Sequence, residues 1–509
     1  MLNLTTIILA PLLGALVITC IPRNYRFVIR IVALATLAIS AVVGFWLFAS
    51  FNPAIPGFQY PQQMAWVPAI GISYHVGADG INIGLIFMST LVAFCAGCAS
   101  WEIKSREKEF YFLLLLMAGG VHGAFCSLDL FFFFAFHELA LIPTFIMIGI
   151  WGRGEETNYA TFKITLYLTI GALLTLAGLI ALYFAAGANT FDIVQLSARL
   201  QSSPLSGEQQ ALIFPFLLFG FGILVSLWPF HTWAPIGYGA APTATAMLHA
   251  GALKKFGLYG LIRIAIPLMP EAAANWLNVI AILCLGNILY CGMVAMRQRS
   301  LNLLIGNSSV AHMGFVFLGI ITLTTLGVTG AVTIMVAHGF LAAVTFALSG
   351  YLYQQSGHSD MSQLGGLLKR MPFIGTALLM AFLAGCGLPG FANFIGEAMV
   401  LFSAWKAFPI VTSLAVWGGL VIGAVYMLRA ARQLLHGPIT ATTPNFTDAA
   451  GAWRKLPFVL LLAALLILGC APFLLVEKIR PAAERIVKRA NSVPARTAEA
   501  SKLHLANRD

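Results

Sequence analysis

Ionisable side chains occur in stretches otherwise too apolar to hold them: Glu138, Lys163, His231, His249, Lys254, Lys255, His312, His338 and Glu397. A charge at the centre of a bilayer costs about 2.5–3.5 kcal/mol to insert, so such groups line a wet interior or pair with one another. Carboxyl, amine and imidazole groups a few ångströms apart and linked by water can pass protons along. The chemistry these residue types point to is therefore a proton relay through a membrane. Lys254 and Lys255 stand side by side in AMLHAGALKKFGLYGLIRI, Ala246 to Ile264. Glu138 lies in DLFFFFAFHELALIPTFIMIGIWG, five residues before Pro143. His231 sits between Pro229 and Pro235 in SLWPFHTWAPIGYGAAPT, and Glu397 follows the Gly/Pro/Asn interruption of GCGLPGFANFIGEAMVLFSAW. Each has a plainer alternative. Glu138 could be a carboxyl near a helix end, His231 could satisfy carbonyls freed by the prolines, and His312 or His338 alone could be a hydrogen-bonded core residue. Their recurrence at similar depth favours a relay.

The elements that must position these groups are membrane helices. Of 509 residues, 60% are hydrophobic and only 9% charged, far below the roughly 25% charge of soluble domains. Apolar runs long enough to cross a bilayer recur throughout, predicting an all-α polytopic membrane protein. About fourteen transmembrane helices are expected, centred near residues 12, 39, 92, 118, 140, 173, 219, 253, 285, 313, 338, 388, 420 and 465. The first of them has neither a basic n-region nor a cleavage site and reads as a retained span. Residues 52–80, rich in Pro, Gly and aromatics, read as a surface loop, and 187–209 as an amphipathic or irregular excursion. From Glu477 the tail reads as a short surface helix before fraying.

Basic loops carrying Arg23 and Arg26, Lys104 to Lys108, Arg297 and Arg299, Lys369 and Arg370, and Arg429 to Lys455 fall on one side, which puts the N-terminus outside. The basic tail spoils that pattern: either one span is miscounted or a partner holds the tail. Two interrupted helices, one in each half, point to inverted repeats, because irregular backbone at membrane depth survives only where protein or cavity water satisfies it. The expected organisation is 1–109 (first helices and loop), 110–268 (first repeat), 269–434 (second repeat) and 435–509 (last span and tail).

Cys95 and Cys98 form the only C-x-x-C, inside an apolar helix, and suit packing. The sequence has no phosphate loop, dinucleotide fingerprint, iron–sulfur spacing or haem motif, so any redox cofactor belongs to other chains.

Several stretches resemble the antiporter-like membrane subunits of respiratory complex I, most nearly the subunit M or mitochondrial fourth-subunit type: HELALIPTFIMIGIWG, PFHTWAP, APTATAMLHAGALKKFGLYGLIR, NSSVAHMGFVFLGI, GLLKRMP and LPGFANFIGE, with VGADGINIGLIFMSTL near residue 76. The likeness runs in order along nearly the whole chain. It implies two inverted five-helix repeats, each with one broken helix, and proton translocation driven by quinone reduction elsewhere. It also implies a proton path through Glu138, His231, Lys255, His312, His338 and Glu397, with Lys163 nearer the surface. The expected neighbours are L-, N- and K-type membrane-arm subunits and the lipid bilayer, with no nucleic acid. No cofactor or metal is expected in this chain; NADH, FMN, iron–sulfur clusters and quinone fall to partner subunits, in a bacterial inner membrane.

The departures from the family matter. Where the family carries a lysine that pairs with the glutamate, this chain has Leu224, and Asn302 stands where lysine is common. Lys254, His137 or His249 could substitute, the first half-channel could be inactive, or coupling could differ. His249 is five and six residues from the lysines and, at about 100° per residue, should not share their helical face. His137, adjacent to Glu138, should point elsewhere; Lys254 is left as a possible compensating cation. Alternatives with the same fold are an Mrp-type cation/proton antiporter, a hydrogenase membrane subunit, or a structural subunit with an impaired first half-channel.

Overall fold

A computed structural model describes residues 3–439 and 446–506. The chain is mostly helical. In order run α1 (Leu4–Cys20), α2 (Arg26–Ser50), a hairpin of β1 (Gln59–Val67) and β2 (Ile72–Ala78), α3 (Ile83–Ala99), α4 (Glu107–Cys126), α5 (Leu130–Trp151) and α6 (Thr157–Ala186). Next come α7 (Ile193–Ser202), α8 (Gly207–Val225), α9 (Trp233–Ala240), α10 (243–268) and α11 (Pro270–Arg297). The second half holds α12 (Leu301–Ile321), α13 (Thr325–Ser356), α14 (Pro372–Gly385), α15 (Ala392–Ala407), α16 (Pro409–His436), α17 (Gly451–Cys470) and α18 (Phe473–Ala506).

Among the described residues ten helices are long and apolar enough to cross a membrane, namely α2, α4, α5, α6, α8, α11, α12, α13, α16 and α17. Three shorter apolar helices, α1, α3 and α14, accompany them. Burial sorts them into layers. The apolar windows of α12 and α13 are entirely enclosed, whereas α6 and α16 bury 39% and 33% of theirs and form the outer wall. A helix apolar all round belongs in such a centre or against lipid. Helix pairs close where side chains are small: a Cβ on Gly120 of α4 would stand 2.6 Å from the Ala140 nitrogen and the Phe136 oxygen of α5. That contact fixes the helix that bears Glu138.

Caps set the helix starts. Asp129 accepts from the Phe131 and Phe132 N–H groups ahead of α5, and Ser206 with Gln209 forms a capping box on α8. Two interruptions follow their local chemistry. α8 ends on Ser226 in left-handed backbone (φ 70°) three residues before Pro229. α14 ends before Gly387 and Gly390 (φ 69° and 100°), which flank Leu388 and Pro389.

Two expectations need correction. Residues 52–80 are not an irregular loop and the chain is not purely α, because β1 and β2 pair antiparallel, Gln62 opposite Val76 and Met64 opposite Tyr74. The left-handed Gly71 (φ 73°) allows the reversal between them. Of the two readings of 187–209, the structure has the amphipathic one: α7 buries Ile193, Leu196 and Leu200 on one face and is capped by Asp192. The tail forms a helix of 34 residues rather than a short one. Its Lys478 donates to the Phe51 carbonyl (2.9 Å), Arg489 to Ser197 (2.7 Å) and Asn491 to Leu323 (3.1 Å). The basic tail is thus held by this chain's own surface. It lies at the end where Thr5 of α1 meets Gln62 and Tyr74 of the hairpin.

Candidate functional site

The site is organised by α10, and α10 is not a uniform helix. Its backbone widens to i→i+5 bonding at His249–Leu253 and again at Leu261–Ala265, as single π turns do near functional groups. Lys254 N–H donates to the His249 carbonyl at 3.0 Å. Lys254 and Lys255 come directly after that turn and are both buried.

Both ends of α10 are tied by charge. At its start Glu102 accepts from the Thr243 N–H (2.7 Å) and Oγ1 (2.9 Å) and pairs with Arg153, which also donates to Thr243. Near its other end Arg263 grips Asp79 with both guanidinium nitrogens, at 2.8 and 2.5 Å. Asp79 lies ahead of α3. Burial alone would push its carboxyl up, but the Arg263 guanidinium beside it holds it below the usual range.

Lys255 turns toward α13. Its Nζ donates to the Ala250 carbonyl at 2.5 Å and lies 2.9 Å from His338 Nδ1. The His338 ring faces the His312 ring with centroids 5.4 Å apart. His312 Nδ1–H donates to the Ser308 carbonyl (2.8 Å), which can only accept, so Nε2 carries the lone pair. That nitrogen lies 3.6 Å from Glu397 Oε1, and both side chains are about 7% exposed. Ser308 Oγ and Tyr426 Oη stand 3.0 Å apart alongside. Lys255, His338, His312 and Glu397 therefore form one connected set. Beyond Glu397 a groove of about 630 Å³, lined by Phe394, Phe402, Trp405, Lys406 and Leu420, opens on the flank of α15 and α16.

Lys254 turns the other way. Its Nζ lies 3.3 Å from Ser309 Oγ and 5.5 Å from the centroid of the Tyr238 ring. It makes no ion pair with Glu138. The expectation that His249 faces away from both lysines is overturned for Lys254. Five residues of ideal α-helix would place His249 and Lys254 about 140° apart, but the i→i+5 turn brings such residues toward alignment. The His249 ring meets the same Tyr238 edge-on at 5.3 Å.

The expectation that His137 points away from Glu138 is overturned as well. His137 Nδ1 lies 3.1 Å from Glu138 Oε1, because Nδ1 hugs its backbone and the glutamate arm is long enough to bend to it. His137 is buried and stacked on Phe256 at 3.9 Å, whereas Glu138 keeps 27% of its side chain exposed. Leu224 is buried apolar packing, and its Cδ2 would lie 3.1 Å from a Cβ on Gly171 of α6.

His231 is buried in the turn between α8 and α9 against Tyr290 (5.5 Å), with Lys254 and Lys163 as its charged neighbours. The polar groups freed by that break are satisfied by other side chains. Asn287 accepts from the Trp228 N–H (2.8 Å) and donates to the Ser226 and Val310 carbonyls, while Trp233 donates to the Ile223 carbonyl. Lys163 lies toward the surface beside Tyr159. Asn302 joins the Gly239 carbonyl (3.3 Å) to Ser349, so it serves as a tie between helices. Sequence reasoning missed the two clamps on α10. Their signals were available: Asp79 in VGADG, and Arg263 ending an apolar run. Among the described residues no three His, Cys, Asp or Glu side chains converge on a point a metal ion could occupy.

A membrane-embedded helical protein with a buried Lys–His–His–Glu file belongs to the class of ion-translocating membrane subunits. The sequence profile described as "NADH:quinone oxidoreductase/Mrp antiporter, TM" matches residues 127–423, more than half of the chain, and the chain belongs to that family. It is 33% identical over 475 residues to NADH-quinone oxidoreductase subunit M of Rhodobacter capsulatus, covering 92% of this chain and 91% of that one. It is 32% identical over 508 residues to NAD(P)H-quinone oxidoreductase chain 4-1 of Synechocystis, covering 98% and 96%. Among solved structures it superposes on a chain of respiratory complex I from Thermus thermophilus with TM-score 0.87 at 28% identity, covering 96% and 100%. The Mrp complex from Dietzia gives 0.79 at 19% identity over 96% and 99%, a likeness of fold. The protein is an integral membrane component of a multi-subunit assembly.

Proposed function

We propose that the chain is a proton-translocating, antiporter-like membrane-arm subunit of an NADH:quinone oxidoreductase, of the subunit M or chain 4 type, and that its protons pass along Lys255, His338, His312 and Glu397. The observation that carries the proposed path is the connected file of those four side chains between enclosed helices. Two positive charges 2.9 Å apart in a poorly polarisable interior repel strongly, so Lys255 and His338 hold one excess proton between them. With the proton on Lys255, Nζ–H donates to His338 Nδ1, and transfer leaves a neutral amine and an imidazolium. The imidazolium yields its Nε2 proton to His312 Nε2, whose other nitrogen is committed to Ser308. The Glu397 carboxylate then takes it.

The finer reading counts α8 with α9, and α14 with α15, as single broken spans, giving about fourteen crossings with α7 and α18 on the surface. Residues 110–268 and 269–434 are the inverted repeats of this reading. Electron transfer lies outside the chain: NADH, FMN, iron–sulfur clusters and quinone are assigned to partner subunits. The L-, N- and K-type subunits are its neighbours in a bacterial inner membrane.

The test is proton pumping by the whole complex in sealed vesicles. Lys255→Ala and Glu397→Gln should each abolish coupled pumping with assembly intact; unchanged pumping in both sinks the relay. A cation/proton exchanger of the Mrp type rests on fold likeness alone. Co-purification of flavin- and iron–sulfur-bearing subunits separates it from the main reading.

A further inference from the structure

The path above leaves unused a second group of buried titratable side chains on the α5 side of α10. Among the described residues, Glu138 has one cation-capable partner, His137 at 3.1 Å. His137 is turned inward, with its ring stacked on Phe256, the residue after Lys255. α5 also packs against the widened turn that starts at His249. His249 is 2% exposed, and its charge-bearing neighbours are Lys254, His137 and Lys255. Its ring lies between Trp233 (5.5 Å, nearly parallel) and the Tyr238 edge.

Two polar atoms in this spot, His249 Nδ1 and Tyr238 Oη, are buried with no partner among the described residues. A buried polar atom left unpaired costs about 1–3 kcal/mol, and sites with several such atoms recruit water. Lys254 Nζ stands over the same Tyr238 ring and turns its hydrogens toward Ser309. Leu224, at the α8 position where the resemblance implies a cation, packs on α6.

We propose that His137 and His249 act as proton carriers between Glu138 and Lys254, through water held at His249 Nδ1 and Tyr238 Oη, and so feed the Lys255 file from the side of α5. The widened turn is what makes this geometry, since it sets His249 and Lys254 against one tyrosine. Lys254 then has a purpose distinct from that of Lys255: it delivers the proton, and once it is reprotonated from the α5 side its renewed charge repels the proton on Lys255 and drives the next transfer. No proton is created or lost. Each step moves one from a nitrogen or carboxyl to the next lone pair, with water as the intermediary.

The inference rests on the proton-pumping reading above, and the experiment separates the two. The intact complex is reconstituted in sealed vesicles, with proton uptake and NADH oxidation measured together. His137→Phe and His249→Phe keep the aromatic stacks on Phe256 and Trp233 but carry no proton. Each should lower protons moved per NADH at least about tenfold, a conservative threshold beneath the roughly hundredfold at which the range for a lost proton-transfer group begins. His249→Gln, which retains polarity, should do the same and guards against a packing effect of phenylalanine. Adding Leu224→Lys to His137→Phe should restore much of the pumping, a rescue that a purely structural role for His137 would not give. If both phenylalanine variants pump like the parent while Lys255→Ala is silent, the proposed branch is wrong and the pumping reading stands. If Lys255→Ala also pumps normally, both fall.

Discussion

From Lys255 a hydrogen bond leads to His338, whose ring faces that of His312, and His312 pairs with Glu397; α12 and α13, which carry the two histidines, are enclosed on every side. From Glu138 one contact leads to His137, and the next polar group, His249, has an unpaired nitrogen. Glu397 is about 7% exposed and Glu138 27%. The two carboxylates therefore sit in different dielectric surroundings although each follows an apolar run. A direct file of side chains can pass a proton with little rearrangement, whereas a gapped one needs water. Variation at a neighbouring position such as Leu224 is then easier to absorb in the gapped half, where the connection is made by solvent and not by one fixed pair.

The largest effects should come from the Lys255–Glu397 file. Lys255→Ala should reduce pumping to background, and the double variant with Glu397→Gln should be no worse than either alone, because members of one relay act as a unit. Additive losses, measured as protons per NADH in vesicles, would break the file into independent sites and erase the contrast between the halves.

Next in size is the clamp on α10, which serves both halves. Arg263 and Asp79 form a buried bidentate pair. Removing one partner of such a pair costs about 3–5 kcal/mol, whereas replacing both by apolar residues is often neutral. Arg263→Met should therefore lower the thermal midpoint of the complex sharply and disturb both relays, and Arg263→Met with Asp79→Leu should recover most of the stability. A single variant as stable as the parent would show that the pair does not hold α10. The pH dependence has a definite sign. The Asp79 carboxyl is held below its ordinary range, so its stabilisation is complete above the unfolded value near 3.9 and is lost as pH falls through the lower folded value.

Much of the second half was legible in the sequence because each group announces itself: one histidine or glutamate in a long apolar run has few explanations. Lys255, His312, His338 and Glu397 do converge, although they come from four separate helices. The first half was less legible for a specific reason. Periodicity assumes about 100° per residue, and the i→i+5 turn at His249 breaks that assumption with no proline to mark it. Adjacency misled in the same way at His137 and Glu138, where side-chain reach outweighs the angle between the Cα–Cβ bonds. The hairpin was hidden because its strands mix polar and aromatic residues and β1 exposes much of its length. The long tail helix was hidden because its low apolar content reads as solvent-exposed, although it buries Ile479, Ala482, Ala483 and Ala490.

The smallest effect concerns the cap that starts α5, and it tests whether the first half is tuned at its entrance. Asp129 is fully buried. Its Oδ1 accepts from Phe131 and Phe132 N–H at 2.9 and 3.1 Å, and Oδ2 accepts from Ser73 N–H at 3.0 Å. Burial pushes its carboxyl up to about 6, the backbone N–H groups pull it down, and the nearby Asp192 charge adds to the rise. A carboxyl raised in the folded state binds its proton more tightly there than in the unfolded chain. Its contribution to stability is thus fully present below the unfolded value near 3.9 and is lost as pH rises through about 6. Asp129→Asn keeps the Oδ1 cap but loses the Ser73 bond, a constant cost of about 0.5–1.5 kcal/mol. The variant should therefore have a lower thermal midpoint at every pH and a flatter dependence between about pH 4 and 6. Parallel curves for parent and variant across that window would mean that Asp129 does not titrate there.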